Sequence, residues 1–262
     1  MHRQVRCVSK LLSTYNRVKM NRACIFGLSL CLSACHQASV YSTQKTRTSQ
    51  QLQRSEIQQQ TIYKTQKAVS PSYLIWRNEP LHQQQIYSYK HFLKSQGLNL
   101  YIPDVEFFQT ARDWQKCNYP EYEVPPQELW NNIIPTLNIL HQLVDRKIVT
   151  DFSVTSVYRS YALNQCAGGA GSSKHVFNAA LDFRIGSENP DIAEQQSIQE
   201  TKAKLCQFWL DHGEALSMGL GVYESGQIHI DSAGYRTWGV DHRYTSSPCM
   251  KDSLNHQHQS PA

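Results

Sequence analysis

At 262 residues the chain is long enough to bury a full core, as one large domain or two small ones. Its formal charge of +5 invites a nucleic-acid reading, but six basic side chains and no acidic one lie in residues 1–34, and the rest carries 20 Lys plus Arg against 21 Asp plus Glu. That near-neutral remainder gives no support to a nucleic-acid footprint.

Residues 1–34 have the three-part form of a secretory signal: a basic region ending at Arg22, an apolar run over 23–32 and then small residues. The run is too short to span a bilayer, which needs about 20 apolar residues. It ends in Leu32-Ser33-Ala34-Cys35, which resembles the bacterial lipobox, so a lipid on Cys35 is expected. Met20 offers an alternative start codon to Met1. These features predict a protein in the bacterial periplasm or at the cell surface, anchored to a membrane, the outer one favoured. Of eight cysteines, four remain after Cys35: Cys117, Cys166, Cys206 and Cys249. In an oxidising compartment that even number predicts two disulfides, and three pairings are open.

Residues 35–70 are rich in Gln, Ser and Thr and read as a tether. Residues 250–262 read as a disordered polar tail, His256 and His258 included. Between them, 71–249 form the folded domain, with a helical N-terminal part over 71–126 and the core over 127–249. Helix-like pieces fall at 83–96 and 105–116, with turns around Gly97, Pro103, Pro120 and Pro125-Pro126. Over 127–147, Leu129, Trp130, Ile133, Ile134, Leu137, Leu140, Leu143 and Val144 make a helical stripe in which Pro135 either kinks the helix or opens a second one.

Alternation over 152–158 predicts a strand that delivers Arg159 into a loop. The glycine-rich 168–174 is not a phosphate loop, because Ser173 and His175 stand where that pattern needs Gly and Ser or Thr. A strand follows at 179–185, a helix at 191–212, and a hairpin of 220–223 with 227–231 turning through Glu224-Ser225-Gly226. The fold class is α+β, helices packed on a small antiparallel sheet.

His175, Asp182 and His229 are ligand types that can hold one zinc ion with a position left for water. His175 and Asp182 reach one metal only if the chain between them turns back, and Asn178 suits such a turn. Strand alternation puts Gln227, His229 and Asp231 on one face, so Asp231 or Gln227 can orient neighbours while His229 ligates.

Ser156-Val157-Tyr158-Arg159-Ser160, Leu163-Asn164, Gly168-Gly169-Ala170, Ser173-x-His175, Ala180-x-Asp182 and Ile228-His229-Ile230-Asp231 together resemble the zinc D-Ala-D-Ala carboxypeptidase family, whose metal-binding fold is shared with Hedgehog proteins. The resemblance spans roughly 133–238. Val157 and Asn178 stand where the family has Gly. It implies zinc bound by His175, Asp182 and His229, with Arg159 meeting the substrate's carboxylate and Ser173 and Tyr158 contacting the peptide. Glu224 or Asp231 is then the general base, Glu224 favoured. The implied activity is a zinc-dependent D-alanyl-D-alanine carboxypeptidase acting on peptidoglycan stem peptides. The alternatives are a murein endopeptidase and a catalytically weak wall-binding lipoprotein with a retained zinc site. Neither nucleic acid nor an obligate protein partner is inferred.

Overall fold

The computed structural model describes residues 69–99 and 102–250. The leader with Cys35, most of the tether and nearly all of the tail lie outside the described residues. Among the described residues no helix is long and apolar enough to cross a membrane.

Helix α1 (Pro71–Asn78) starts at Ser70, whose hydroxyl accepts from the Tyr73 N–H at 3.1 Å. Pro80 holds Glu79 in extended geometry (φ −66°, ψ 131°), which ends α1 before α2 (Pro80–Ser95) begins. The helix expected over 105–116 is a correction: only α3 (Asp104–Phe107) is helical. Beyond it the backbone pairs elsewhere, with Thr110 N donating to Glu121 O at 3.0 Å and Glu123 N to Phe108 O at 3.0 Å. Tertiary pairing has overridden local propensity there. The stripe over 127–147 is a 3-10 turn, Gln127–Ile133, followed by α4 (Ile134–Asp145), so Pro135 opens a second helix. Its ring sits in the first turn, where no N–H is needed.

The sheet contains β1 (Phe152–Ser156), β2 (Ala180–Ile185), β3 (Gly219–Val222), β4 (Gln227–Asp231) and β5 (Arg236–Trp238) in the order β1-β2-β4-β3-β5. The first four strands pair antiparallel, but β5 runs parallel to β3, so the sheet is mixed where a purely antiparallel one was expected. Short helix α5 (Tyr161–Cys166) follows β1, and α6 (Ile192–His212) connects β2 to β3. The protein is α+β, as anticipated.

One sheet face builds the core. Leu181, Phe183, Ile228, Ile230 and Leu220 are fully buried, together with Ile133, Leu137, Leu140 and Leu143 of the helical layer. At about 25 cal/mol per Å² of buried apolar surface, this layer dominates the favourable side of folding. Alternation then sends Asp182 and Arg184 of β2, and Gln227, His229 and Asp231 of β4, to the opposite face. Two disulfides form, Cys117–Cys166 and Cys206–Cys249, which is the pairing the sequence left open. The first ties the turns after Ala111 to the end of α5, and the second holds the C-terminal turn onto α6.

Candidate metal centre and its cleft

Strand register brings the first two candidate ligands together. Asp182 of β2 sits directly opposite His229 of β4, and Ser156 of β1 pairs with Asp182 on its other side. His175 comes from a 3-10 turn, Lys174–Phe177, that closes at Asn178 in the left-handed conformation (φ 51°, ψ 43°). Asn tolerates that geometry better than other residues bearing a side chain. The Asn178 amide is also used, donating to Tyr89 Oη at 3.0 Å and to Leu129 O at 3.1 Å. The chain therefore reverses in seven residues, placing His175 beside the strand that carries Asp182.

The three ligand atoms form a tight triangle. His175 Nε2 is 3.1 Å from Asp182 Oδ1, His229 Nδ1 is 2.8 Å from the same oxygen, and the two ring nitrogens are 3.2 Å apart. Each imidazole is oriented from behind. His175 Nδ1 lies 2.6 Å from Val157 O, a pure acceptor, so it carries the proton and Nε2 presents a lone pair. His229 Nε2 donates to Asp231 Oδ2 at 3.0 Å, which leaves Nδ1 facing the triangle. Such backing hydrogen bonds set the tautomer and direction of a metal-binding histidine.

This donor set fits a metal cation. Burial, seconded by Arg159, holds His175 down at about 4, so its ring is neutral. A neutral nitrogen lone pair facing a carboxylate oxygen is repulsive unless a proton or cation lies between them. Burial opposes charge on His229, but hydrogen bonds to Asp182 and Asp231 outweigh it and raise its pKa, so a proton can occupy the triangle. Burial also opposes ionisation of Asp182; the Arg159 guanidinium and the hydrogen bond from His229 overcome it and hold the carboxyl well below its usual range. Tetrahedral zinc, with bonds of roughly 2.0–2.2 Å, asks for ligand atoms about 3.3 Å apart, close to what the triangle provides. Zinc would replace that proton on His175, Asp182 and His229.

The triangle opens onto a cleft of about 1140 Å³. Arg159 and Ser173, expected to meet substrate, and Glu224, expected as base, line it; Tyr158, also expected to meet substrate, is buried and does not. Arg159 is engaged: Nη2 donates to Asp182 Oδ2 at 2.5 Å and Nε to Ser156 Oγ at 2.9 Å. In this arrangement it supports a ligand as much as it faces the cleft. Asp231 is fully buried and accepts from His229, from Ala233 N at 2.8 Å and from Arg236 Nη2 at 2.6 Å. Bonded to three donors, Asp231 backs His229 from behind. Gln227 also lines the cleft and donates to Thr155 Oγ1 at 2.6 Å. The exposed carboxylate of Glu224 stands on the hairpin turn, whose backbone is pinned by Lys202 Nζ to Glu224 O at 3.0 Å and by Ile185 N to Gly226 O at 2.9 Å.

Several residues of the site escaped the sequence reading. Arg236 and Trp238 come from the three-residue β5, too short for alternation to be recognised. The Trp238 ring packs 5.2 Å from that of His229 and its Nε1 donates to Tyr223 Oη at 2.9 Å. Gly219 and Gly221 of β3 make the room: a Cβ on Gly219 would meet the Asp231 carboxylate at 2.7 Å, and one on Gly221 would meet Trp238 Nε1 at 2.7 Å.

Residues 106–210 match the model of a family described as Peptidase M15. The match agrees with the resemblance to zinc D-Ala-D-Ala carboxypeptidases and covers Arg159, His175 and Asp182; His229, Glu224 and Asp231 lie beyond it. No curated protein and no solved structure matches the chain.

Proposed function

We propose, from the Peptidase M15 character of residues 106–210 and the metal-type triangle in the cleft, that this protein is a zinc-dependent peptidase of the cell envelope cleaving peptidoglycan stem peptides as a D-alanyl-D-alanine carboxypeptidase. The observation that carries the reading is the convergence of three lone-pair-bearing atoms, from His175, Asp182 and His229, at the floor of an open cleft. The fold, in this reading, is the Hedgehog/D-Ala-D-Ala-peptidase-like zinc fold. The lipobox-like Cys35 supplies a lipid anchor, and the polar 35–70 segment lets the domain reach the wall.

Zinc bound there supplies a Lewis acid that brings the pKa of water towards about 7. The protein's own groups do the rest. Glu224, the cleft carboxylate without a resolved task among the ligands, accepts the proton of the attacking water and returns it to the leaving amine. Asp231 and the Val157 carbonyl hold the two imidazoles in place. Arg159 and Ser173 lie along the cleft wall where the peptide passes.

One observation favours a second reading, a murein endopeptidase. The Arg159 guanidinium is bonded to Asp182 and Ser156, whereas a carboxypeptidase needs a cation for the terminal carboxylate. Digestion of purified muropeptides decides: free D-alanine from monomeric pentapeptides supports the carboxypeptidase, and conversion of cross-linked dimers to monomers supports the endopeptidase. No product from either leaves a wall-binding protein with a retained metal site.

A further inference from the structure

Attack on an amide places negative charge on its carbonyl oxygen, and a hydrogen-bond donor aimed at that oxygen contributes strongly to the rate. The donors of the cleft are unequally available. Two of Arg159's nitrogens are directed at Asp182 and Ser156, and Arg236 is bonded to Asp231. The Tyr223 hydroxyl is differently placed. It accepts the Trp238 Nε1–H at 2.9 Å, so its own hydrogen must point away from the indole. Two directions remain: His242 Nδ1, at 3.4 Å, and the cleft that Tyr223 lines. A contact of 3.4 Å is at the long limit of a hydrogen bond and holds that hydrogen weakly.

The hydroxyl is also on the metal side of the cleft. It lies within electrostatic reach of Asp182 and Arg159, and the same Trp238 that donates to it packs on His229. Burial, with Asp182 adding to it, raises the Tyr223 pKa, which keeps the hydroxyl protonated and able to donate at neutral pH. Tyr223 begins the turn that carries Glu224, and both residues line the cleft.

We infer that Tyr223 is a catalytic residue whose hydroxyl donates a hydrogen bond to the scissile carbonyl oxygen as the oxyanion forms, with Trp238 positioning it. The inference rests on the peptidase reading. As the water oxygen bonds to the amide carbon, the carbonyl π pair moves onto oxygen and the Tyr223 O–H bond stays intact. When the C–N bond breaks, the pair returns and the amine leaves with the proton that Glu224 carried.

The test compares the full chain with Tyr223→Phe, measuring kcat, KM, bound zinc and the affinity of a phosphinate analogue of D-Ala-D-Ala. The expected result is a kcat about 100-fold lower, the cost of losing one oxyanion donor, with KM and zinc content unchanged. The phosphinate, which resembles the tetrahedral state, weakens in proportion to kcat/KM, while product binding does not change. Trp238→Phe, which keeps the ring but removes the N–H, lowers kcat by a smaller factor with zinc retained. An unchanged kcat in Tyr223→Phe, or equal weakening of phosphinate and product, overturns the assignment. If the wild-type chain cleaves nothing, the peptidase reading has failed. The phosphinate comparison still tests Tyr223, because equal affinity in the two proteins overturns it.

Discussion

Replacing Asp231 by Asn removes one charge from behind His229 while keeping the shape. The carboxylate is fully buried and takes three donors: His229 Nε2 at 3.0 Å, Arg236 Nη2 at 2.6 Å and Ala233 N at 2.8 Å. An Asn oxygen can serve the donors on one side only; its NH2 then faces a donor on the other, whichever way the amide is turned. Loss of such a backing carboxylate typically lowers metal affinity roughly 10–100-fold, which is about 1.4–2.7 kcal/mol. Breaking the buried pair with Arg236 also costs the fold, about 3–5 kcal/mol for removal of one partner, less here because the guanidinium is partly exposed. The acid limb of stability should change too. Burial opposes the Asp231 charge, but its bonds to His229 hold the pKa below the usual value. A depressed folded pKa stabilises above the unfolded value near 3.9, and that stability disappears as pH falls through the folded value. Asp231→Asn therefore flattens the loss of stability of the metal-free protein below about pH 4. Chelator competition gives the zinc affinity, and thermal denaturation across pH gives the limb. Wild-type zinc affinity in Asp231→Asn would refute the role given to Asp231 behind His229.

Other consequences follow from the same geometry. Glu224→Gln should lower kcat by about 10²–10⁴ while zinc content stays constant; full activity in the muropeptide digest removes Glu224 as base. Gly221→Ala places a Cβ 2.7 Å from Trp238 Nε1. It should displace the indole, lower kcat and cost about 1–3 kcal/mol in denaturant unfolding, so a wild-type rate would show that Trp238 is dispensable. Zinc should displace the proton favoured by the raised pKa of His229, so its apparent affinity rises with pH until that group is deprotonated. Titration calorimetry in buffers of different ionisation enthalpy should detect released protons. Serine at both Cys206 and Cys249 removes a buried link and should cost about 2–5 kcal/mol, read as a lower midpoint of unfolding.

The ligand triangle was legible because its parts obey local rules. Asp182 and His229 sit in strands whose alternation is plain, and Asn178 stands where the chain must turn back. The register that sets Asp182 opposite His229 was not legible, since pairing depends on the whole sheet. Arg159 shows a different limit. The family resemblance pairs it with a substrate carboxylate, whereas the structure bonds it to Asp182 of the same chain. β5 was invisible because three residues carry no period, and with it went Arg236 and Trp238. The segment after α3 reads as helix by its apolar spacing, yet its backbone is claimed by the residues around Tyr122.

The central claim is that His175, Asp182 and His229 hold one zinc ion. Elemental analysis of the purified protein and of His175→Ala, Asp182→Ala and His229→Ala tests it most directly. One zinc per chain in the wild type, lost in each variant with the fold intact by circular dichroism, is the predicted result. A wild-type chain that takes up no zinc, or variants that retain it in full, would contradict the account.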